Sequence, residues 1–240
     1  MPAPALPAGD AIDAITLDLD DTLWPVLPAL LAAERAMLDW LRPRAPATAR
    51  ICSSKRIQEI RLLVQMANAE RAHDLGWLRL ESLRTALGEA GEDPAFAVGA
   101  FEVFTQGRSR VTLYADVLPV LARWRERYRL AIITNGNADV DRIGIADCFD
   151  ANITAHRLGV GKPDSAIFHA ACTELGVDPA RTLHIGDDLQ LDIAGARNAG
   201  LHAAWVRRPD LPASAHHQTG HTDEPGYPDL RSLARDLAGR

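Results

Sequence analysis

Three carboxylates in four positions, Asp18, Asp20 and Asp21, interrupt the stretch Ala14–Trp24, which reads AITLDLDDTLW. Asp is a poor strand residue and clustered like charges repel, so an apolar run that stops on them requires a cation nearby, either a metal or basic side chains. Taken alone, the stretch could equally be a strand running into an Asp-rich turn. Further residues with chemical potential stand downstream: Thr134 with Asn135, Lys162, and Asp187 with Asp188. Carboxylates gathered at one point without His or Cys suit a hard cation with oxygen ligands, and Mg2+ holding several waters fits best. Mg2+ commonly bridges carboxylate and phosphate. Lys162, Thr134 and Asn135 are of the types that bind phosphate oxygens. A carboxylate can attack phosphorus to give an aspartyl-phosphate, and a second one two residues on can protonate the leaving group and later activate water.

These residues can cooperate only if the fold brings them together. Near-continuous apolar runs predict strands over Ile12–Leu19, Leu130–Thr134, Ala151–Ala155, Thr182–Ile185 and His202–Val206. Helical patterns alternate with them: Pro119–Tyr128, a run opening at Lys162-Pro163 and ending at Leu175, Leu189–Ala199, and Pro228–Leu237. Such alternation predicts an α/β fold, a Rossmann-like parallel sheet with helices on both faces, whose ligand site lies at the carboxyl ends of the strands. Asp18 and Asp20, Thr134 and Asn135, and Asp187 and Asp188 all stand at such ends, and Lys162 opens a helix on the same rim.

Between Val26 and Gln106 the strand signals vanish. Helical spacings run over Leu27–Leu41, Ala47–Glu70 and Leu75–Ala90, with a shorter helix after Pro94. The block is too long for one crossover helix. It predicts an inserted all-helical domain at 25–106, with 1–24 and 107–240 forming the α/β catalytic core. Arg71, His73 and Arg79 read as solvated helix faces. His216, His217 and His221 fall in the Pro-, His- and Gly-rich stretch Arg207–Tyr227, which reads as an exposed loop without groups to orient a metal ligand.

Composition narrows the classes. With 240 residues and 47% hydrophobic, the chain can bury a sizeable core. A formal net charge of -6 gives no support to a nucleic-acid partner. The three cysteines, Cys52, Cys148 and Cys172, are far apart and without CxxC spacing, which fits reduced thiols in the cytoplasm. No run has the length of a membrane span, and the Pro/Ala-rich start, MPAPALPAGD, lacks the features of a secretory signal.

Four short motifs in chain order resemble those of the haloacid dehalogenase-like (HAD) hydrolases: DLDDT at Asp18–Thr22, TNG at Thr134–Gly136, GKP at Gly161–Pro163 and GDDLQLD at Gly186–Asp192. The resemblance spans nearly the whole chain. It implies that Asp18 is the nucleophile and a Mg2+ ligand, and that Asp20 is the general acid/base and gives its backbone carbonyl to the metal. It further implies that Thr134 and Lys162 hold the phosphoryl group, and that Asp187 is the third metal ligand, supported by Asp188 or Asp192. The helical insert corresponds to the family's cap, a lid over the site.

Dehalogenases of this family have no acid at the position matching Asp20, so its presence implies a phosphatase acting on a small phosphorylated metabolite. Asp21 reads as a turn residue and Trp24 as a packing residue, although a flat substrate could stack there. The runs Thr134–Asp139 and His184–Gly200 resemble a bacterial group that includes phosphatases of 5-amino-6-(5-phosphoribitylamino)uracil and of flavin mononucleotide. A phosphomutase would use the same residues. A non-catalytic binding module would be expected to have lost a carboxylate or the lysine, and this chain has lost none.

Overall fold

A computed structural model describes residues 11–209 and 224–239. His216, His217, His221 and the first ten residues lie outside that set. In chain order, β1 (Ala14–Leu17) is followed by α1 (Val26–Leu41), α2 (Pro46–Cys52), α3 (Arg56–Ala67), α4 (Leu75–Ala90) and α5 (Phe96–Arg108). Then come α6 (Val117–Arg125), β2 (Arg129–Thr134), α7 (Val140–Ile143), β3 (Ala151–Thr154), α8 (Ala155–Leu158) and α9 (Ser165–Leu175). The chain continues through β4 (Thr182–Gly186), a π-helical turn (Leu189–Ala194), α10 (Gly195–Asn198), β5 (His202–Val206), β6 (Gly226–Tyr227) and α11 (Leu230–Ala238). The described residues fall into two compact units: the chain up to Pro25 with Thr112–Gly136 and the chain from Ile145 onward, and Val26–Val111 with Asn137–Gly144.

The first unit is a six-stranded parallel sheet of order β3-β2-β1-β4-β5-β6. The chain winds outward from β1 in both directions, so strand order reverses beside β1, which is where open α/β sheets place ligands. All four residues of β1 are buried, as are five of the six in β2 and all five of β4, which explains runs too apolar to alternate. Leu17 pairs with Ile132 on one side and Ile185 on the other, so the chain leaves β1 at the same level as it leaves its two neighbours. One face packs Phe168, Ile167 and Cys172 of α9 with Ile193, Ala196 and Trp205. Elsewhere in the unit, α6 buries Val120, Leu121 and Trp124, and α11 buries Leu230, Leu233 and Leu237.

The second unit is wholly helical. Met37, Leu41, Leu83, Leu87 and Phe104 form one core, and Ile57, Ile60, Val64 and Leu78 another. The pattern predicted one long helix over Ala47–Glu70; α2 and α3 are instead separate, because Ser53 and Ser54 bond back to Arg50 and Ile51 and end the first. Asn137–Gly144 groups with the helices and not with the sheet, where sequence pattern had left it; Arg142 there pairs with Glu102 at 2.9 Å. Arg79 is not a solvated face. Its guanidinium lies 3.7 Å above the Phe104 ring and 3.4 Å from Glu34, and burial, aided by Arg61, lowers it to about 10.

Two other boundaries moved. Helix α9 starts at Ser165, capped by the Asp164 side chain, so Lys162 and Pro163 precede the helix instead of opening it, and Lys162 gains no helix N-terminus. The stretch read as one loop contains β6, which pairs with β5 through Trp205–Gly226 and Val206–Tyr227.

Candidate active site

The backbone at the end of β1 turns sharply. Asp21 takes a left-handed conformation with φ 57°, its N–H donates to the Trp24 carbonyl at 2.8 Å, and Leu23 closes on Leu19 at 2.7 Å. Asp tolerates that conformation better than most residues. The turn points Asp18 into the unit, 7% exposed, and leaves Asp20 half-buried. The Trp24 indole, wholly buried, donates to Asp20 Oδ1 at 2.9 Å. Trp24 therefore both packs, as its apolar bulk predicts, and orients Asp20, which sequence reasoning missed.

Lys162 is the buried cation that the carboxylates required. Its Nζ lies 2.5 Å from Asp18 Oδ1 and 2.5 Å from Asp192 Oδ1. Asn135 fixes the lysine's main chain from both sides: its Oδ1 accepts from Lys162 N at 2.8 Å and its Nδ2 donates to the Lys162 carbonyl at 2.9 Å. Gly161 fits there because a Cβ would stand 2.6 Å from Asn135 Oδ1. Thr134 Oγ1 accepts from Gly136 N at 2.9 Å, and a Cβ on Gly136 would lie 3.2 Å from that hydroxyl and 3.0 Å from Asp20 Oδ2. Thr134 and Asp20 thus share one small volume.

The third strand end is built by the π-helical turn after β4. Asp188 caps it, its carboxylate accepting from Gln190 N and Leu191 N at 2.8 Å. Both Asp192 N and Ile193 N reach the Asp188 carbonyl, the wider turn that π geometry allows and that often marks functional sites. The turn swings Asp192 back beneath the strand. A Cβ on Gly186 would lie 2.2 Å from Asp192 Cγ, so only glycine fits. Asp192 is heavily committed: to Lys162, to His184 Nε2 at 3.1 Å, and to Asp188 N at 3.0 Å. His184 was hidden as an ordinary strand residue. It bridges Asp192 to Thr16, whose hydroxyl is 2.8 Å from Nδ1.

Asp187, 8% exposed, is held by a bond from the Thr22 hydroxyl to its Oδ1 at 3.2 Å, and its carbonyl accepts from the Trp205 indole at 2.8 Å. Carboxylate oxygens of Asp18, Asp187 and Asp192 lie within 4.8 Å of one another. This all-oxygen set suits a small hard divalent cation.

Burial sets the charge balance. It raises the Asp18 carboxyl well above its ordinary value, against the attraction of Lys162, and Asp192 and Asp187 add repulsion. Burial would also raise Asp192, but Lys162 and His184 prevail and hold it below the usual carboxylate range. The two carboxylates flanking one ammonium are thus unequal. Lys162 stays protonated, since Asp18 and Asp192 outweigh its burial. Burial lowers His184, so its ring is neutral at pH 7. The neutral ring can donate Nε2–H to Asp192 and accept the Thr16 hydroxyl at Nδ1.

A haloacid dehalogenase-like hydrolase family model matches residues 12–200, and the chain belongs to that family. It is 34% identical over 200 residues to the 5-amino-6-(5-phospho-D-ribitylamino)uracil phosphatase YigB of Escherichia coli (strain K12), covering 82% of this chain and 84% of that one. It is 36% identical over 162 residues to a phosphoserine phosphatase of Thermus thermophilus, covering 65% of this chain and 61% of the relative. Among solved structures, that of a 2-haloacid dehalogenase from Pseudomonas syringae pv. Tomato DC3000 superposes with a TM-score of 0.84 at 36% identity, covering 95% of this chain and 99% of the other. Among the described residues no helix is long and apolar enough to cross a membrane.

Proposed function

We propose that the chain is a Mg2+-dependent phosphatase that hydrolyses a small phosphorylated metabolite through an aspartyl-phosphate on Asp18. The observation that carries this reading is the juxtaposition of a buried Asp18, a 2.5 Å ammonium contact from Lys162, and Asp187 beside them. The enzyme acts on phosphoric monoesters, as do relatives of this family that share most of its length.

In the proposed reaction an Asp18 carboxylate oxygen attacks phosphorus and the P–O bond to the substrate's alcohol breaks. Asp20, held by Trp24, gives its proton to the departing oxygen. Asp20 then takes a proton from water as that water attacks the phosphoryl group, and inorganic phosphate leaves. Lys162 neutralises oxygens of the transferring group, Thr134 donates its hydroxyl to them, and Asn135 serves the phosphate subsite by fixing Lys162. Asp18 and Asp187, with the Asp20 carbonyl, would hold Mg2+; Asp192, tied to Lys162 and His184, supports from behind, and Asp188 supports through the turn it caps. When bound, Mg2+ would supply positive charge that keeps Asp18 ionised and stabilises the phosphoryl oxygens. The helical unit is proposed as a lid that excludes water during transfer. Free Cys52, Cys148 and Cys172 fit a reducing cytoplasm.

The likeness to a 2-haloacid dehalogenase structure favours a second reading, in which Asp18 displaces halide from carbon. Dehalogenation needs no proton on the departing halide, so it would leave Asp20 and its Trp24 hydrogen bond without a task. The test assays both reactions. Phosphate release is measured with Mg2+ on an aryl phosphate, phosphoserine, a sugar phosphate and 5-amino-6-(5-phosphoribitylamino)uracil, and halide release on 2-chloropropionate. The proposal expects Mg2+-dependent phosphate release, lost in Asp18→Asn, and no halide. Halide release without phosphate release would replace the proposal with the second reading. An isomeric sugar phosphate formed without inorganic phosphate would make it a mutase.

A further inference from the structure

Two residues past the end of β5 stands Arg208, an arginine only 4% exposed in a stretch whose composition reads as loop. Each edge of its guanidinium has a fixed destination. Nη1 donates to both oxygens of the Asp116 carboxylate at 2.9 Å. Nε and Nη2 converge on one acceptor, the Thr22 carbonyl, at 3.1 and 2.6 Å. The plane lies 4.1 Å over the Tyr114 ring, and Asp116 also accepts the Leu230 N–H at 2.7 Å. Three separate stretches of chain therefore meet at Arg208, and Asp116 ties in a fourth through Leu230.

A buried ion pair is a poor way to gain stability, because desolvating both charges offsets most of their attraction. Anchoring α11 would need only the Asp116–Leu230 contact. The guanidinium instead directs two donors at the residue whose hydroxyl bonds Asp187. Thr22 is held at its carbonyl by Arg208 and reaches Asp187 Oδ1 with its side chain at 3.2 Å. Holding the carbonyl restrains the Thr22 backbone, and so the place from which its hydroxyl reaches Asp187.

We propose that Arg208, clamped by Asp116, is a positioning residue that sets Asp187 for the divalent cation through the Thr22 main chain. This rests on the metal reading given above. Lysine cannot replace it, because a single ammonium cannot present a flat fork to a carboxylate and a carbonyl together. Groups behind a metal ligand commonly change affinity tenfold or more when removed.

The test is calorimetric titration of the full chain with Mg2+ alone, with melting temperature recorded for each variant. Arg208→Lys and Thr22→Val are each expected to weaken Mg2+ binding about tenfold. The double variant is expected to be no weaker than either, because both changes break one chain of contacts. A purely structural arginine would lower the melting temperature of Arg208→Lys and leave its Mg2+ affinity at the wild-type value; that result overturns the inference. Losses that multiply in the double variant, or wild-type affinity in Thr22→Val, overturn it too. Absence of Mg2+ binding by the wild type would remove both this inference and the metal reading, whereas normal wild-type binding with unaltered variants removes this inference alone.

Discussion

Replacing Lys162 by Met keeps the stem's bulk and deletes the charge between Asp18 and Asp192, both 2.5 Å from the ammonium. Breaking a buried pair by removing one partner costs about 3–5 kcal/mol, because the remaining charge stays dehydrated. Protonation caps the loss. Without Lys162, the largest influence on Asp192, its burial, raises the carboxyl, and His184 is left to oppose it. A carboxyl of ordinary value near 3.9 can be protonated for about 5.6 kcal/mol at pH 8 and about 1.5 kcal/mol at pH 5, at 1.36 kcal/mol per unit. The variant should therefore be less stable than wild type by about 3–5 kcal/mol at pH 8 and by no more than about 1.5 kcal/mol at pH 5. The sign follows from linkage: Asp192, lowered in the native state, contributes fully in the wild type at both pH values, so the difference between them comes from the variant, where a carboxyl left buried without its ammonium takes up a proton as pH falls. Urea unfolding at both pH values, without metal, measures the two differences. A loss below about 1 kcal/mol at pH 8, or one that does not shrink on acidification, would refute the reasoning.

Trp24→Phe keeps the buried bulk but removes the donor to Asp20; a hydrogen bond to a charged group is worth about 1.5–3 kcal/mol, so kcat for phosphate release should fall tenfold or more with KM little changed. Gly186→Ala drives a Cβ to 2.2 Å from Asp192 Cγ and should lower stability by about 1–3 kcal/mol, whereas Gly136→Ala, at 3.0 Å from Asp20 Oδ2, should cut activity at nearly unchanged melting temperature. His184 is neutral in the fold because burial lowers it, so the unfolded chain binds its proton first; its contribution should be lost as pH falls below about 6.5, with a slope of up to about 1.4 kcal/mol per pH unit that His184→Gln lacks.

Much of the site could be read in the sequence because its residues follow strand ends. The runs before Asp18, Thr134 and Asp187 are apolar enough to mark central strands, and a parallel sheet then brings their ends to one rim. Spacing could not decide between Asp188 and Asp192. That depended on a π-helical turn, which swings Asp192 under Gly186 and leaves Asp188 as its cap. Lys162 was found by type, but its helix starts two residues later than Pro163 suggested, because Asp164 is the better cap. Trp24, Thr22 and His184 act through contacts made four residues away or across strands, and composition carries no trace of these. Arg208 was hidden most thoroughly. A polar, Pro-rich stretch reads as solvent-exposed, yet Arg208, two residues past the end of β5, turns inward between exposed neighbours.

The central claim is that Asp18 accepts the phosphoryl group. Asp20→Asn should be mixed with Mg2+ and an aryl phosphate, whose good leaving group departs without a proton, and quenched in acid. Mass spectrometry of the peptide spanning Asp18 should then find the phosphoryl group on that residue, because water can no longer be activated to remove it. An unmodified Asp18, in an enzyme that still releases phosphate with Mg2+ when Asp18 is changed to Asn, would contradict the account.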